Sequence, residues 1–328
     1  MSQGCLFASW RDKTLRLSQT SFATHCLALL LLGSLSLSSR AAEPASPDSL
    51  VFCAYNVRNW LIMDRFEDNK VVKDSTKPES EKAAVITHLK AIAPDVLGLS
   101  EIGSADDLRE IQSLLKTAGI DLPHSEIAQG GDPTRRLGFL SRFTIASRQS
   151  VSDLTYELEG KIFSVQRGFL DATIQPRPNL NFRFIGVHLK SMREVPEADQ
   201  ALMRRNEASL LRKHLDGILS ESPESAILLY GDFNEYRHEA PIKAIQGSRT
   251  GVLFMEDIRI TDKRGETWTH YWEAADSYSR LDYLFMSRAM KPFIDVSHSF
   301  IFDSHDFDQA SDHRPIVTKL KLPTSEAE

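Results

Sequence analysis

Seven apolar runs of strand length, separated by helical or polar stretches, restrict what this chain can fold into. They are 50–57 (LVFCAYNV), 95–101 (DVLGLSE), 137–147 (LGFLSRFTIAS), 182–189 (FRFIGVHL), 226–233 (AILLYGDF), 280–287 (RLDYLFMS) and 314–322 (RPIVTKLKL). Many are apolar on both alternating faces, which a sheet with one wet face does not allow. Between them, helical spacing aligns Val85, Leu89 and Ile92 within 80–93. It also aligns Leu108, Ile111 and Leu115 within 104–118, where Ser104 caps the helix and Gly119 closes it. A longer helix is expected within 197–220, with Leu211, Leu215 and Ile218 on one side and Arg204, Arg205 and Arg212 exposed. Strands alternating with helices imply an α/β chain whose sheets are covered by helices.

The 328 residues are 41% hydrophobic and 26% charged, which excludes a disordered or collagen-like chain. No internal repeat or interdomain linker follows Ser49, so 50–322 reads as one domain and 323–328 as a short tail. The net charge of −6 supplies no global positive field for polyanions, so anion binding must be local. Arg11, Lys13 and Arg16 precede the apolar run 26–37 (CLALLLLGSLSL), and small residues flank Arg40. This pattern reads 1–41 as a secretory signal segment and 42–49 as a flexible mature tail, with an exported protein, periplasmic or secreted, as the expectation. The apolar run is shorter than the about 20 residues of a spanning helix, so a membrane anchor is the weaker reading. Cleavage after Ala41 leaves 35 basic and 44 acidic residues, a net charge of −9, and one cysteine, Cys53, read as a buried strand residue.

Three polar stretches, 61–78, 121–136 and 262–279, are long enough to be functional loops. Lys70, Lys73 and Lys77 in the first, Arg135 and Arg136 in the second, and Trp268, His270, Tyr271 and Trp272 in the third are candidates for a phosphate-attracting rim. Solvated loop charges and a small aromatic cluster are the equally weighted alternative.

Polar residues fall where the apolar runs end. Asn56, Glu101, His188, Asp232 and Asn234 close four of them, Asp282 lies in the sixth, and Asp312 and His313 precede the last. Singly, each has a structural explanation as a turn cap or a satisfied core residue. Strand ends on one sheet edge converge, so together they describe a cluster of three aspartates, one glutamate, two asparagines, two histidines and no thiol. Carboxylate and amide oxygens suit Mg²⁺, with Mn²⁺ as substitute, whereas Zn²⁺ prefers nitrogen and sulfur. The remaining acids, amides and imidazoles suit phosphoester hydrolysis, which needs an activated water and charge neutralisation at phosphorus. Serine-nucleophile and Walker-type glycine motifs are absent from the sequence.

At these residues the chain resembles a known family. Asn56 in AYNV, Glu101 in DVLGLSE, His188 in GVHL, Asp232 and Asn234 in GDFN, Asp282 in RLDY, and Asp312 and His313 in SDHRP resemble, in order, the signature segments of the endonuclease/exonuclease/phosphatase superfamily. The resemblance spans about 50–322. It implies a four-layer α/β/β/α sandwich, two packed mixed sheets flanked by helices, as in deoxyribonuclease I. It also implies Glu101 as principal metal ligand, with Asn56 nearby and Asp312 joining it. His313 resembles the histidine facing the scissile phosphate, oriented by Asp282. Asp232 and Asn234 resemble the pair that positions or deprotonates the water and binds a phosphate oxygen, and His188 the second phosphate-binding histidine. Two departures stand out: Ser100 occupies the place where the family commonly has Gln, and Arg58 the place where the abasic-site repair branch carries an acid. Arg58 and Arg135 are candidate substrate-binding residues, a sheet-edge salt bridge being the alternative for Arg58.

The expected activity is that of an exported Mg²⁺-dependent phosphodiesterase, a nuclease cutting DNA or RNA with low sequence specificity, without a stable protein partner and monomeric. Rivals are a phosphatase or lipid phosphodiesterase acting on sphingomyelin-like or inositol phosphate esters, and, remotely, a non-catalytic binding module. A lipid enzyme would expose an apolar hairpin, and apart from the Trp268–Trp272 cluster the sequence shows no such segment.

Overall fold

The computed structural model describes residues 48–67 and 69–323; the expected signal segment and most of the expected tail lie outside them. In chain order the elements are β1 (Ser49–Trp60), β2 (Met63–Glu67), β3 (Lys70–Ser75), α1 (Glu79–Ile92), β4 (Val96–Ile102), α2 (Ala105–Thr117), β5 (His124–Ala128), β6 (Arg136–Ser141), β7 (Ile145–Arg148), β8 (Thr155–Leu158), β9 (Lys161–Ser164) and β10 (Leu170–Arg177). Then follow β11 (Leu180–His188), α3 (Gln200–Glu221), β12 (Ile227–Asp232), α4 (Ala240–Gln246), β13 (Glu256–Asp257), β14 (His270–Trp272), β15 (Ser277–Ser279), β16 (Asp282–Met286), β17 (Ile294–Ile301), α5 (Phe307–Ala310) and β18 (Ile316–Lys321). One six-stranded sheet runs β17-β18-β1-β4-β6-β5 and the other β13-β16-β12-β11-β10-β7.

The period of two along each strand sorts its side chains between two cores. Phe52 and Ala54 of β1 pack between the sheets with Phe139, Phe184, Leu228 and Leu284, whereas Cys53 and Tyr55 face α1 and α2. In the second sheet, Leu228 and Tyr230 face the inter-sheet core, and Ile227 and Leu229 face α3 and α4. Runs apolar on both faces are thus satisfied by a sheet on one side and helices on the other, which gives the four-layer α/β/β/α sandwich. Close sheet approach requires small residues opposite large ones. A Cβ on Gly98 of β4 would lie 2.1 Å from the Tyr230 ring, and one on Gly186 of β11 would lie 2.6 Å from its hydroxyl.

The helices form where the spacing predicts. Ser104 and Asp107 make a reciprocal capping box at the start of α2, and Asp199 caps α3 by accepting from the Ala201 and Leu202 N–H groups. Five expectations are corrected. Residues 137–147 form two strands, β6 and β7, in different sheets, because the turn after Ser141 carries the chain from one sheet to the other. The three polar stretches contain β2 and β3, β5, and β14 and β15. Arg204 is buried, since its guanidinium pairs with Glu235 at 2.9 Å, and Arg212 is half-buried against the Ile245 and Leu253 carbonyls. Lys77 is buried rather than at a rim, held by Glu81 and the Arg58 carbonyl. The hairpin β2–β3 exposes Phe66 (71%) and Val71 (61%), an apolar hairpin that the uneven alternation of 63–75 does not reveal.

Candidate active site

Strand direction gathers the polar ends. β1 and β4 are parallel, as are β11 and β12, so Asn56, Glu101, His188 and Asp232 emerge at one end of the sandwich. β16 and β18 run antiparallel to β12 and β1, so Asp282, which opens β16, and His313, three residues before β18, reach the same end. Each sheet contributes its central strands, and the residues meet between them. The backbone there is strained: Arg58, Asn59, Glu101 and Asn234 have φ of 46°, 56°, 65° and 49°, left-handed values that cost non-glycine residues of order 1–3 kcal/mol where the surroundings hold them.

Asp232 lies at the centre. Its Oδ2 accepts from Asn56 Nδ2 at 3.1 Å and lies 3.5 Å from His188 Nε2 and 3.6 Å from His313 Nε2. Its Oδ1 accepts the Asn234 N–H, and Asn234 Nδ2 donates to the Leu189 carbonyl. His313 Nδ1 bonds Asp282 Oδ2 at 2.8 Å, and Asp282 is itself fixed by Thr269, whose hydroxyl accepts its N–H. Ser311 accepts the His313 N–H and donates to the Asn56 carbonyl, joining the segment before β18 to β1. Glu101 Oε2 accepts the Asn59 N–H at 2.9 Å, and its Oε1 accepts from Asn56 Nδ2 at 3.3 Å and lies 4.0 Å from His188.

The electrostatics separate the two histidines. Burial pulls the His313 imidazole down, but Asp282 and Asp232 outweigh it and hold it well above the usual histidine range. Burial, reinforced by Arg167, holds His188 well below that range, and its Nδ1 has no partner. Burial also raises the Asp232 carboxyl far above the usual carboxylate range, with His313 opposing and Asp282 and Glu101 adding to the rise. A protonated imidazole therefore faces a carboxyl poised to exchange a proton.

The site gathers eight of the ten residues expected at it; Arg58 and Arg135 lie farther out. Asp312 sits at the rim, 35% exposed, with Arg58 Nε 3.8 Å away, so Arg58 makes the salt bridge that was one of its two readings. Arg135 Nε donates to Asn59 Oδ1, and Asn59 in turn holds Glu101. Arg136 turns to Gln129 and the Gly103 carbonyl. Sequence reasoning missed Arg167, which is buried, lies 3.2 Å from Asp132 and leaves Nε and Nη1 without partners. It stands alone before β10 with no motif around it, so nothing local marks it. His270, a candidate for the phosphate-attracting rim, has its ring centroid 4.6 Å from that of His313.

Ligand atoms of Asp232, Asp282 and His313 lie within 4.8 Å of one another, a spacing that would accommodate a metal ion. His313 and Asp282 are already bonded to each other, however, so we read that trio as proton and phosphate apparatus. Glu101, strained and facing Asn56 and Asp232 across the gap between sheets, offers carboxylate oxygen of the kind that fits a hard divalent cation. Asn56 turns its amide NH₂ to both carboxylates while its Oδ1 accepts the Arg58 N–H, which makes it a positioner of the acids in this arrangement.

The sequence pattern of the Endonuclease/Exonuclease/phosphatase family matches residues 68–313. Among solved structures, a functionally unknown conserved protein from Enterococcus faecalis V583 is 17% identical with a TM-score of 0.57, the match covering 84% of this chain and all of the other (100%). A family protein from Bacteroides thetaiotaomicron is 15% identical with a TM-score of 0.56, covering 85% of this chain and 97% of the other. TDP2 from C. elegans is 15% identical with a TM-score of 0.55, covering 84% of this chain and 75% of the other. At these identities the likeness shows a shared fold. No curated protein matches the chain.

Proposed function

Because the chain belongs to the endonuclease/exonuclease/phosphatase family of metal-dependent phosphoric ester hydrolases, we propose that it is an exported Mg²⁺-dependent phosphodiesterase that cuts DNA or RNA with little sequence preference. The observation that carries this reading is the meeting of His313, held by Asp282 at 2.8 Å, with Asp232 at 3.6 Å, at the end of the sandwich where Glu101 emerges. Glu101 and Asp312 would hold the cation, with Asn56 fixing the Glu101 carboxylate. Bound Mg²⁺ supplies charge neutralisation at phosphorus and eases deprotonation of water.

The remaining roles follow from the protonation states. Asp232 orients the attacking water and accepts its proton, a task suited to a carboxyl raised by burial. His313, kept as imidazolium by Asp282, donates from Nε2 to a phosphoryl oxygen and offsets charge that grows in the transition state. His188 and Asn234 bind the other oxygens. In this reading His313 serves as the acid and Asp232 as the base.

Nucleic acid is favoured by what surrounds the acids. Arg58, Arg135 and Arg167 lie around the site, and the hairpin β14–β15 bridges to His313 through His270 and exposes Trp272 and Tyr278, flat faces on which bases stack without regard to sequence. Export is supported by the basic residues before the apolar run 26–37 and by the small residues around Arg40. A second reading, a lipid phosphodiesterase, is favoured by the exposed Phe66 and Val71 on β2–β3. The acidic Asp64 and Asp74, exposed on the same hairpin, oppose membrane insertion, so the nuclease reading leads.

The test is nicking of supercoiled plasmid by the purified protein in Mg²⁺, with and without chelator, beside a His313→Ala control. Metal-dependent nicking absent from the control is expected. No cleavage of plasmid or RNA, with hydrolysis of sphingomyelin vesicles instead, would replace this reading by the lipid one.

A further inference from the structure

The net charge of −6 conceals a local surplus of positive charge. A cleft of about 1010 Å³ runs along the β13 edge of the second sheet and is lined by Arg237, Lys243, Arg249, Arg259, Arg288 and Lys291. Two carboxylates share the lining, and both are neutralised: Asp257 by Arg280 at 2.7 Å and Arg237 at 3.3 Å, Glu256 by Lys291 at 2.7 Å. Among the described residues, Lys243, Arg249, Arg259 and Arg288 have no ion-pair partner, and all four are exposed. Six cations against two paired acids leave a surplus of four, in a depression that concentrates their field.

The cleft and the candidate site draw on the same elements. Arg237 follows Asn234 by three residues, and Met286 in the cleft wall ends the strand that Asp282 begins. Four residues of strand span about 13 Å, a separation that a strand of several nucleotides bridges.

We propose that this cleft binds the phosphate backbone of a nucleic-acid strand whose scissile phosphate lies against His313 and Asp232. The inference rests on the nuclease reading and deepens it, naming a polymeric substrate that the enzyme holds several nucleotides away from the bond it cuts. Small-molecule pockets are mostly apolar with a few placed polar groups, whereas a groove that follows a strand is cationic and open. A bilayer meets flat or protruding surfaces, and these cations line a concavity.

The experiment compares the full chain with an Arg249→Gln/Arg259→Gln/Arg288→Gln variant. Binding of a fluorescent 12-nucleotide single strand in EDTA reads the cleft without turnover. Hydrolysis of a dinucleotide, too short to reach the cleft, reads the catalytic centre. The variant is expected to bind the 12-mer at least tenfold more weakly at 100 mM salt. Its slope of log K against log salt should fall by about two, at ~0.7 per lost contact. The KM for the 12-mer should rise with kcat unchanged, while dinucleotide turnover stays within twofold.

Equal 12-mer binding by both proteins overturns the cleft proposal, and continued dinucleotide hydrolysis would leave the nuclease reading in place. Cleft-dependent 12-mer binding without hydrolysis of any nucleic acid would support the cleft and sink the nuclease reading. Loss of binding to phosphatidylserine vesicles, with 12-mer binding intact, would overturn the proposal in favour of a membrane surface.

Discussion

His313 depends on Asp282 for both its orientation and its charge, because the 2.8 Å bond fixes the ring and the carboxylate stabilises the imidazolium. Asp282→Asn keeps the shape and removes the charge. It should lower kcat on the order of 10²-fold, the range of a positioned acid–base group, with KM nearly constant. Steady-state kinetics on plasmid or oligonucleotide check this, and an unchanged kcat would remove Asp282 from the mechanism. Asp132 acts at a distance, linking Arg167 and Arg135 beside the site. Burial pushes its carboxyl up, but the Thr134 N–H, Arg167 and the Arg135 N–H outweigh that and hold it below the usual range. A carboxyl lowered on folding adds stability above its unfolded value of about 3.9, and that stability is lost as pH falls through the folded value. Asp132→Asn should therefore cost about 1–3 kcal/mol at pH 7, with the deficit shrinking below about pH 4, as urea melts at both pH values would read. A deficit independent of pH would place the effect in packing. At this scale the sequence was legible wherever chemistry coincided with the edge of an apolar run: Asn56, Glu101, His188 and Asp232 lie at the ends of such runs, Asp282 within one and His313 just before one. Arg167 was not legible, because a buried cation is recognised only by a partner such as Asp132, which lies far off in sequence, and Lys77 was not, because its nearby partner Glu81 does not by itself reveal burial.

Elements carry the sheets' close approach. Tyr230 of β12 inserts its ring against Gly98 of β4 and Gly186 of β11, and its hydroxyl is buried with no hydrogen-bond partner. Gly98→Ala would place a methyl 2.1 Å from the ring and should destabilise by about 1–3 kcal/mol through overpacking. Tyr230→Phe removes an unsatisfied hydroxyl and should be neutral or stabilising. Thermal melts of the two variants would separate the effects, and a neutral Gly98→Ala would mean that the sheets part more easily than their packing implies. The central strands were readable because both their faces are apolar. β10 (LDATIQPR) and β17 (IDVSHSFI) were not, since polar residues interrupt them and their pairing with distant strands supplies the order. Arg204 turns inward on α3 for the same reason: Glu235, its partner, lies on the loop after β12.

At the scale of the whole molecule, the site is the seam between two sheets that are otherwise joined by apolar packing. Asn56 and Glu101 come from the first sheet and His188, Asp232 and Asp282 from the second, so the carboxylates oppose one another across the interface. A chain-wide charge of −6 says nothing about this arrangement, nor about the cationic cleft, because both depend on which distant residues the topology brings together. A divalent cation held at Glu101 would relieve that repulsion and tie the sheets to each other. It should therefore stabilise the fold as a whole rather than one loop. At a tenfold excess of Mg²⁺ over its Kd the gain is about 1.4 kcal/mol, which for a domain of this size raises Tm by about 3 °C. Calorimetry with Mg²⁺ against EDTA reads this without any substrate. Glu101→Gln should abolish most of the rise, whereas Arg58→Gln, at the rim, should keep it. A rise that survives in Glu101→Gln would move the cation to the Asp232, Asp282 and His313 cluster, and no rise at all would mean that the empty protein holds no cation between its sheets.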